Sequence, residues 1–146
     1  MVARSLKAQA IRLLARREYA RADLESRLLR GGADRAEVCS TLDDLGAQGL
    51  LSDRRFAQAV VGKKAGSYAR RSIAGALKAK GVAPDDIEDA LRDADLDDDK
   101  ALAALWQRRF GELPASDREK ARQVRYLQSR GFSLSAIFKL LRGPSR

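Results

Sequence analysis

The chain contains no histidine and a single cysteine, Cys39. Without histidine, a Ser-His-Asp or Cys-His catalytic arrangement cannot be assembled. Zinc sites of the usual kinds are likewise short of ligands. One cysteine excludes an internal disulfide, which fits a reducing cytoplasm. Aromatic residues make up only 5% of the sequence, and much of its 45% hydrophobic content is alanine, which buries little area per residue. No apolar run approaches the roughly 18 residues that read as a membrane span, and no basic start followed by an apolar core marks a signal peptide. A phosphate loop of the Gly-x-x-x-x-Gly-Lys-Ser/Thr type is absent. Sustained period-two alternation is missing too, so no sheet is expected.

What the chain does have is a repeat. Leucine, glycine four residues later, a branched aliphatic six beyond and leucine four further on occur as Leu28, Gly32, Val38, Leu42, then Leu77, Gly81, Ile87, Leu91, then Leu127, Gly131, Ile137, Leu141. The copies lie 49 and 50 residues apart. Each reads as the end of one helix, a glycine that turns the chain at positive φ, and the core face of the next helix. Ala8-Gln9-Ala10 recurs as Ala57-Gln58-Ala59, and Tyr19-Ala20-Arg21 recurs as Tyr68-Ala69-Arg70. Each unit is therefore three helices long, and the expected fold is all-α: three tandem three-helix repeats, nine helices in all, over 1–49, 50–96 and 97–146. Units of about 50 residues with alanine-rich cores are marginal alone and should lean on one another.

Local signals place the helices. Asp34 with Glu37 forms a capping box before the third helix, and Ser52 caps the fourth. Pro84 suits the first turn of the sixth helix, where its missing N–H costs nothing. Asp97-Asp98-Asp99 caps the seventh, as a capping turn rather than a magnesium site. Asp117 is expected to cap the eighth, with Ala121, Val124 and Leu127 on its core face. Ser133 caps the ninth, and Gly143-Pro144 ends the fold. Cys39 sits beside the Val38 and Leu42 face as a packing residue. No cofactor and no metal are expected, and the protein should act by binding rather than catalysis.

The formal charge is +9. Between Asp85 and Asp99 there are nine acidic residues and one basic, which leaves 28 basic and 11 acidic residues, a net of +17, elsewhere. Such a surplus favours an acidic partner, whether nucleic acid, an anionic membrane or an acidic protein surface. Basic pairs recur at Arg16-Arg17, Lys63-Lys64, Arg70-Arg71 and Arg108-Arg109, where the first helix of a unit gives way to the second. The second helices add Arg21, Arg122, Arg125 and Arg130 among others. A row of this kind can follow a phosphate backbone or a periodic acidic protein surface. From Arg108 onward there are ten basic residues against three acidic, so the C-terminal unit is the first candidate for any direct DNA contact, single- or double-stranded.

Several stretches resemble the RecX regulators of bacterial recombination. They are Arg16-Arg17-Glu18-Tyr19-Ala20-Arg21 with Leu24, Gly49-Leu50-Leu51-Ser52-Asp53-Arg54-Arg55-Phe56-Ala57, Arg108-Arg109-Phe110, and Arg130-Gly131-Phe132-Ser133. Ala20 departs from the serine or threonine frequent there, which should weaken the cap of the second helix by about 1 kcal/mol. The resemblance implies an elongated, curved array of three-helix repeats. It implies binding to the RecA recombinase filament on single-stranded DNA and inhibition of its ATPase, strand-exchange and coprotease activities. DNA repair and the SOS response would be modulated as a result. The expected protein is a cytoplasmic monomer, with Leu24, Leu50, Leu51, Phe56, Phe110 and Phe132 as scaffold. Two rivals remain at this stage: a stand-alone DNA-binding helical-repeat protein and a general interaction scaffold.

Overall fold

The computed structural model describes residues 5–143, and among them there are nine α-helices and no strand. The helices are α1 (Leu6–Arg16), α2 (Arg21–Arg30), α3 (Arg35–Ala47), α4 (Asp53–Lys64), α5 (Arg70–Ala79), α6 (Pro84–Asp93), α7 (Asp98–Arg109), α8 (Asp117–Ser129) and α9 (Leu134–Leu141). The all-α expectation holds. Pro144 lies outside the described residues.

The turns between second and third helices follow the glycine logic. Gly32, Gly81 and Gly131 have φ of +93°, +79° and +95°. At Gly81 the turn is a Schellman motif: Val82 N–H donates to Leu77 O at 3.2 Å and Gly81 N–H to Lys78 O at 3.0 Å. Gly131 repeats it with Phe132 N–H on Leu127 O and its own N–H on Gln128 O. Gly131 is also a site of close approach, because a Cβ built there would lie 2.6 Å from Ser72 Cβ. The helix starts are capped at Asp34, Ser52, Asp97 and Ser133, each accepting from the backbone N–H three residues on; at Asp34 this is the half of the expected capping box that forms. The cap of α8 is Ser116, not Asp117. Its hydroxyl accepts from Glu119 N–H at 3.2 Å, while the Glu119 carboxylate accepts from Ala115 N–H at 2.8 Å. Ser116 holds the extended backbone of a cap (φ −145°, ψ 163°), and Asp117 is already helical.

The chain packs as two bodies. One comprises the described chain up to Val60 with Leu77–Ala90, the other Val61–Ala76 with the described chain from Leu91. Residues of α4, α5 and α6 belong to both. In the first body, Leu6, Ala10, Tyr19, Leu24, Leu28, Val38, Leu42, Leu45 and Leu51 make one apolar cluster. Leu51 is buried, but Leu50 beside it is 43% exposed: of the two residues leaving the turn at Gly49, only the second reaches the core. In the second body, Ala69, Leu102, Leu105, Leu127, Phe132 and Ile137 are buried together, with Trp106, Phe110, Val124 and Tyr126 half-buried around them.

The core face of α8 differs from expectation. Leu127 is buried and Val124 half-buried, but Ala121 is exposed, and Gln123 takes the inward place at 4% exposure. Its side-chain oxygen accepts from Trp106 Nε1 at 3.0 Å and its Nε2 donates to Glu112 O at 3.1 Å. Gln123 therefore ties α7, α8 and the loop between them, and every polar atom of its amide that is buried has a partner.

Candidate interaction surface

Two equivalent joints fix the starts of α2 and α5. Ala20, at the cap position of α2, has no side chain to offer. Asp53, the first residue of α4, supplies the acceptor instead: Arg21 N–H donates to its carboxylate at 2.7 Å. In the second body Arg70 N–H donates to Asp98, the first residue of α7, at 2.9 Å. A carboxylate from the following unit thus does what a local serine or threonine would do. The guanidinium groups of the same residues also have partners within their own body. Arg21 pairs with Asp43 at 2.8 Å and reaches Cys39 O, and Arg70 Nη1 donates to Leu91 O at 3.4 Å.

The remaining basic residues singled out in the sequence divide between the bodies. In the first, Arg16 is exposed and lines a groove of about 340 Å3 with Gln9, Arg12, Leu13, Arg27 and Leu28. Arg17 stands 3.7 Å over the ring of Tyr19 and donates to Glu18 O. In the second, Lys63, Arg71, Arg122 and Arg125 are exposed. Lys64, Arg108, Arg109 and Arg130 come together.

That gathering has a simple cause. Lys64 is the last residue of α4, Arg109 the last of α7, and Arg130 the C-cap of α8. Cations at helix C-termini are favoured by the partial negative charge of the unpaired carbonyls. Arg108 donates to Gly66 O at 3.1 Å and to Ser67 Oγ, in the turn just past the end of α4. The other three are interleaved with two tyrosines. Lys64 Nζ lies 4.2 Å from the ring centre of Tyr68, and Arg130 lies 4.5 Å from it on the guanidinium carbon. Arg130 is also 5.1 Å from Tyr126, and Arg109 is 5.0 Å from the same ring. Phe110 meets Tyr126 edge to face at 5.6 Å. The order Lys64, Tyr68, Arg130, Tyr126, Arg109 is an alternating ladder of cations and rings. Its main-chain anchor is Ala69 N–H donating to Arg130 O at 2.9 Å. Among the described residues none of these four cations forms an ion pair, whereas Arg21, Arg35, Arg54, Arg55 and Lys80 do.

The sequence reading picked out the cations and missed the rings. Part of the signal was present: Tyr126 and Arg130 are four apart, the spacing that makes neighbours on a helix, whereas Tyr68 lies in the turn past the end of α4. Among the described residues no group of three or more Cys, Asp or Glu is placed to hold a metal ion, and no helix is long and apolar enough to cross a membrane.

Fold and surface together define a class: an all-α protein of repeated helical units whose concentrated chemistry is cationic, set on carbonyls and rings. Sequence models of RecX match it twice, the second three-helix domain over residues 52–91 and the third over residues 97–141. A regulatory protein RecX from Leptothrix cholodnii is 41% identical over 138 residues, covering 94% of this chain and 88% of that protein. One from Ectopseudomonas mendocina is 40% identical over 141 residues, covering 95% and 94%. The crystal structure of RecX from Lactobacillus salivarius superposes with a TM-score of 0.68 at 19% identity, over 94% of this chain and 92% of that one, a likeness of fold. The chain belongs to the RecX family of regulatory proteins.

Proposed function

We propose that this protein binds the filament that the RecA recombinase forms on single-stranded DNA and inhibits its ATPase, strand-exchange and coprotease activities, thereby modulating DNA repair and the SOS response. The observation that carries this reading is kinship over nearly the whole chain with proteins named as RecX regulators. The chemistry agrees with action by binding: a surplus of cations and no histidine for acid–base work. The protein acts without catalysis, in the cytoplasm, as a monomer whose modules are 1–49, 50–96 and 97–146. It wedges between protomers across the filament groove, so that extension or ATP turnover is hindered.

Within that mechanism the basic residues take unequal parts. Arg16, Lys63, Arg71, Arg122 and Arg125 are exposed and meet acidic protein or phosphate. Arg21 and Arg70 hold helices in place and act on the partner only through that. The reading is tested by adding the protein to RecA hydrolysing ATP on single-stranded DNA. Turnover falls if it is right. Unaltered turnover, together with tight DNA binding in a gel shift that RecA does not change, supports a stand-alone DNA-binding protein instead.

A further inference from the structure

The alternating ladder in the second body is more than a surplus of charge. We propose that Lys64, Arg109 and Arg130, with Tyr68 and Tyr126, form a binding site for single-stranded nucleic acid, in which the cations take phosphates and the planar groups stack on unpaired bases. This goes beyond the filament reading, since it needs no other protein.

Four observations carry it. First, Lys64, Arg108, Arg109 and Arg130 lie together with no carboxylate paired to any of them among the described residues. Their attraction for an outside anion is opposed by the partial charges at three helix ends, which fade within a turn, and on the side of Tyr68 by Asp95, Asp97 and Asp98, which line a cavity with that ring. Second, the cations are held in place beforehand. Lys64 stands over Tyr68, Arg109 over Tyr126 and Arg130 over both, so less side-chain freedom is lost on binding. Third, the cations alternate with rings. The rings hold the guanidinium groups, whose planes accept a stacked base whatever its identity, and a basic surface with such platforms is how single strands are held without sequence preference. Fourth, the sequence that carries Arg109 and Arg130 is basic: from Arg108 onward it holds ten basic residues and three acidic ones.

The test uses the full chain alone, with a fluorescein-labelled oligothymidylate read by anisotropy at several salt concentrations. Competitors are a duplex, an abasic strand of the same length, and polyglutamate. The proposal expects the oligothymidylate to bind about tenfold or more tighter than the abasic strand, because stacking adds to phosphate contact. Lys64→Gln with Arg109→Gln should weaken binding and lower the slope of log K against log salt by about 1.4, the share of two phosphates on a single strand. Arg12→Gln with Arg35→Gln removes the same charge from the first body and should change neither greatly. Arg130→Gln should weaken binding as well. If it unfolds the protein, the Lys64 and Arg109 pair still decides, once a circular-dichroism melt shows that variant folded. Equal binding of the thymidylate and abasic strands overturns the proposal. So does tighter binding of duplex or polyglutamate, a Lys64 and Arg109 variant no weaker than the Arg12 and Arg35 one, or no binding at low salt. None of these outcomes touches inhibition of RecA, which is read separately.

Discussion

Gln123 is the residue whose loss should be felt most at the smallest scale. Its amide satisfies Trp106 Nε1 and Glu112 O at once, in a position that is almost wholly buried. Replacement by leucine keeps the volume and strands both partners, a cost of about 1–3 kcal/mol for each buried group left without a bond. Gln123→Leu should therefore lower the denaturation midpoint and loosen the loop from Gly111 to Ser116. Urea melts followed by Trp106 fluorescence measure it, and an unchanged midpoint would mean that water replaces the amide. The same residue explains a misreading of sequence. Gln123 lies four before Leu127, on the inward face, but a polar residue there breaks the apolar spacing and pushes the inferred face toward Ala121. Arg21 and Arg70 were similarly opaque. They have the residue type of a binding surface, and the bonds they also make, Arg21 to Asp53 and Asp43 and Arg70 to Asp98 and Leu91 O, lie too far along the chain to be read from spacing.

At the scale of elements, the helix starts of α2 and α5 depend on carboxylates borrowed from α4 and α7. Asp53→Ala should destabilise the protein by about 1 kcal/mol, and Asp98→Ala by a similar amount, whereas Asp53→Asn should cost much less because an amide oxygen still accepts. Chemical denaturation of the three variants checks this; equal losses for Ala and Asn would point to charge rather than capping. The borrowed cap also offsets the departure at Ala20, which sequence alone makes a weak point. The glycine turns give a second contrast. Gly32 and Gly131 share nearly the same φ, but a Cβ at Gly32 meets nothing within 4 Å, while one at Gly131 overlaps Ser72. Gly32→Ala should cost about 1–2 kcal/mol of left-handed strain. Gly131→Ala adds overlap inside packed structure, and overpacking brings a further 1–3 kcal/mol or so. Thermal melts giving equal losses would show that the turn of α8 into α9 can shift away from α5.

For the whole molecule, architecture was legible because the repeat writes the same turn three times, and three helix-turn-helix copies leave no room for a sheet. Caps at Asp34, Ser52, Asp97 and Ser133 were legible because their partners lie three residues away. The interaction surface was legible only as composition. Several of the partners that decide which cations pair with carboxylates, bond carbonyls or stand over rings lie far along the chain, as Asp43 does from Arg21, Gly66 from Arg108 and Tyr68 from Arg130. The account's central claim concerns the filament, and kinetics tests it most directly. RecA ATPase is followed on single-stranded DNA while the protein is added from well below to equal molar amounts. The account predicts that turnover falls at substoichiometric protein, since one molecule wedged in the groove hinders more than one protomer. ATPase and filament growth unaffected at equimolar protein would contradict it.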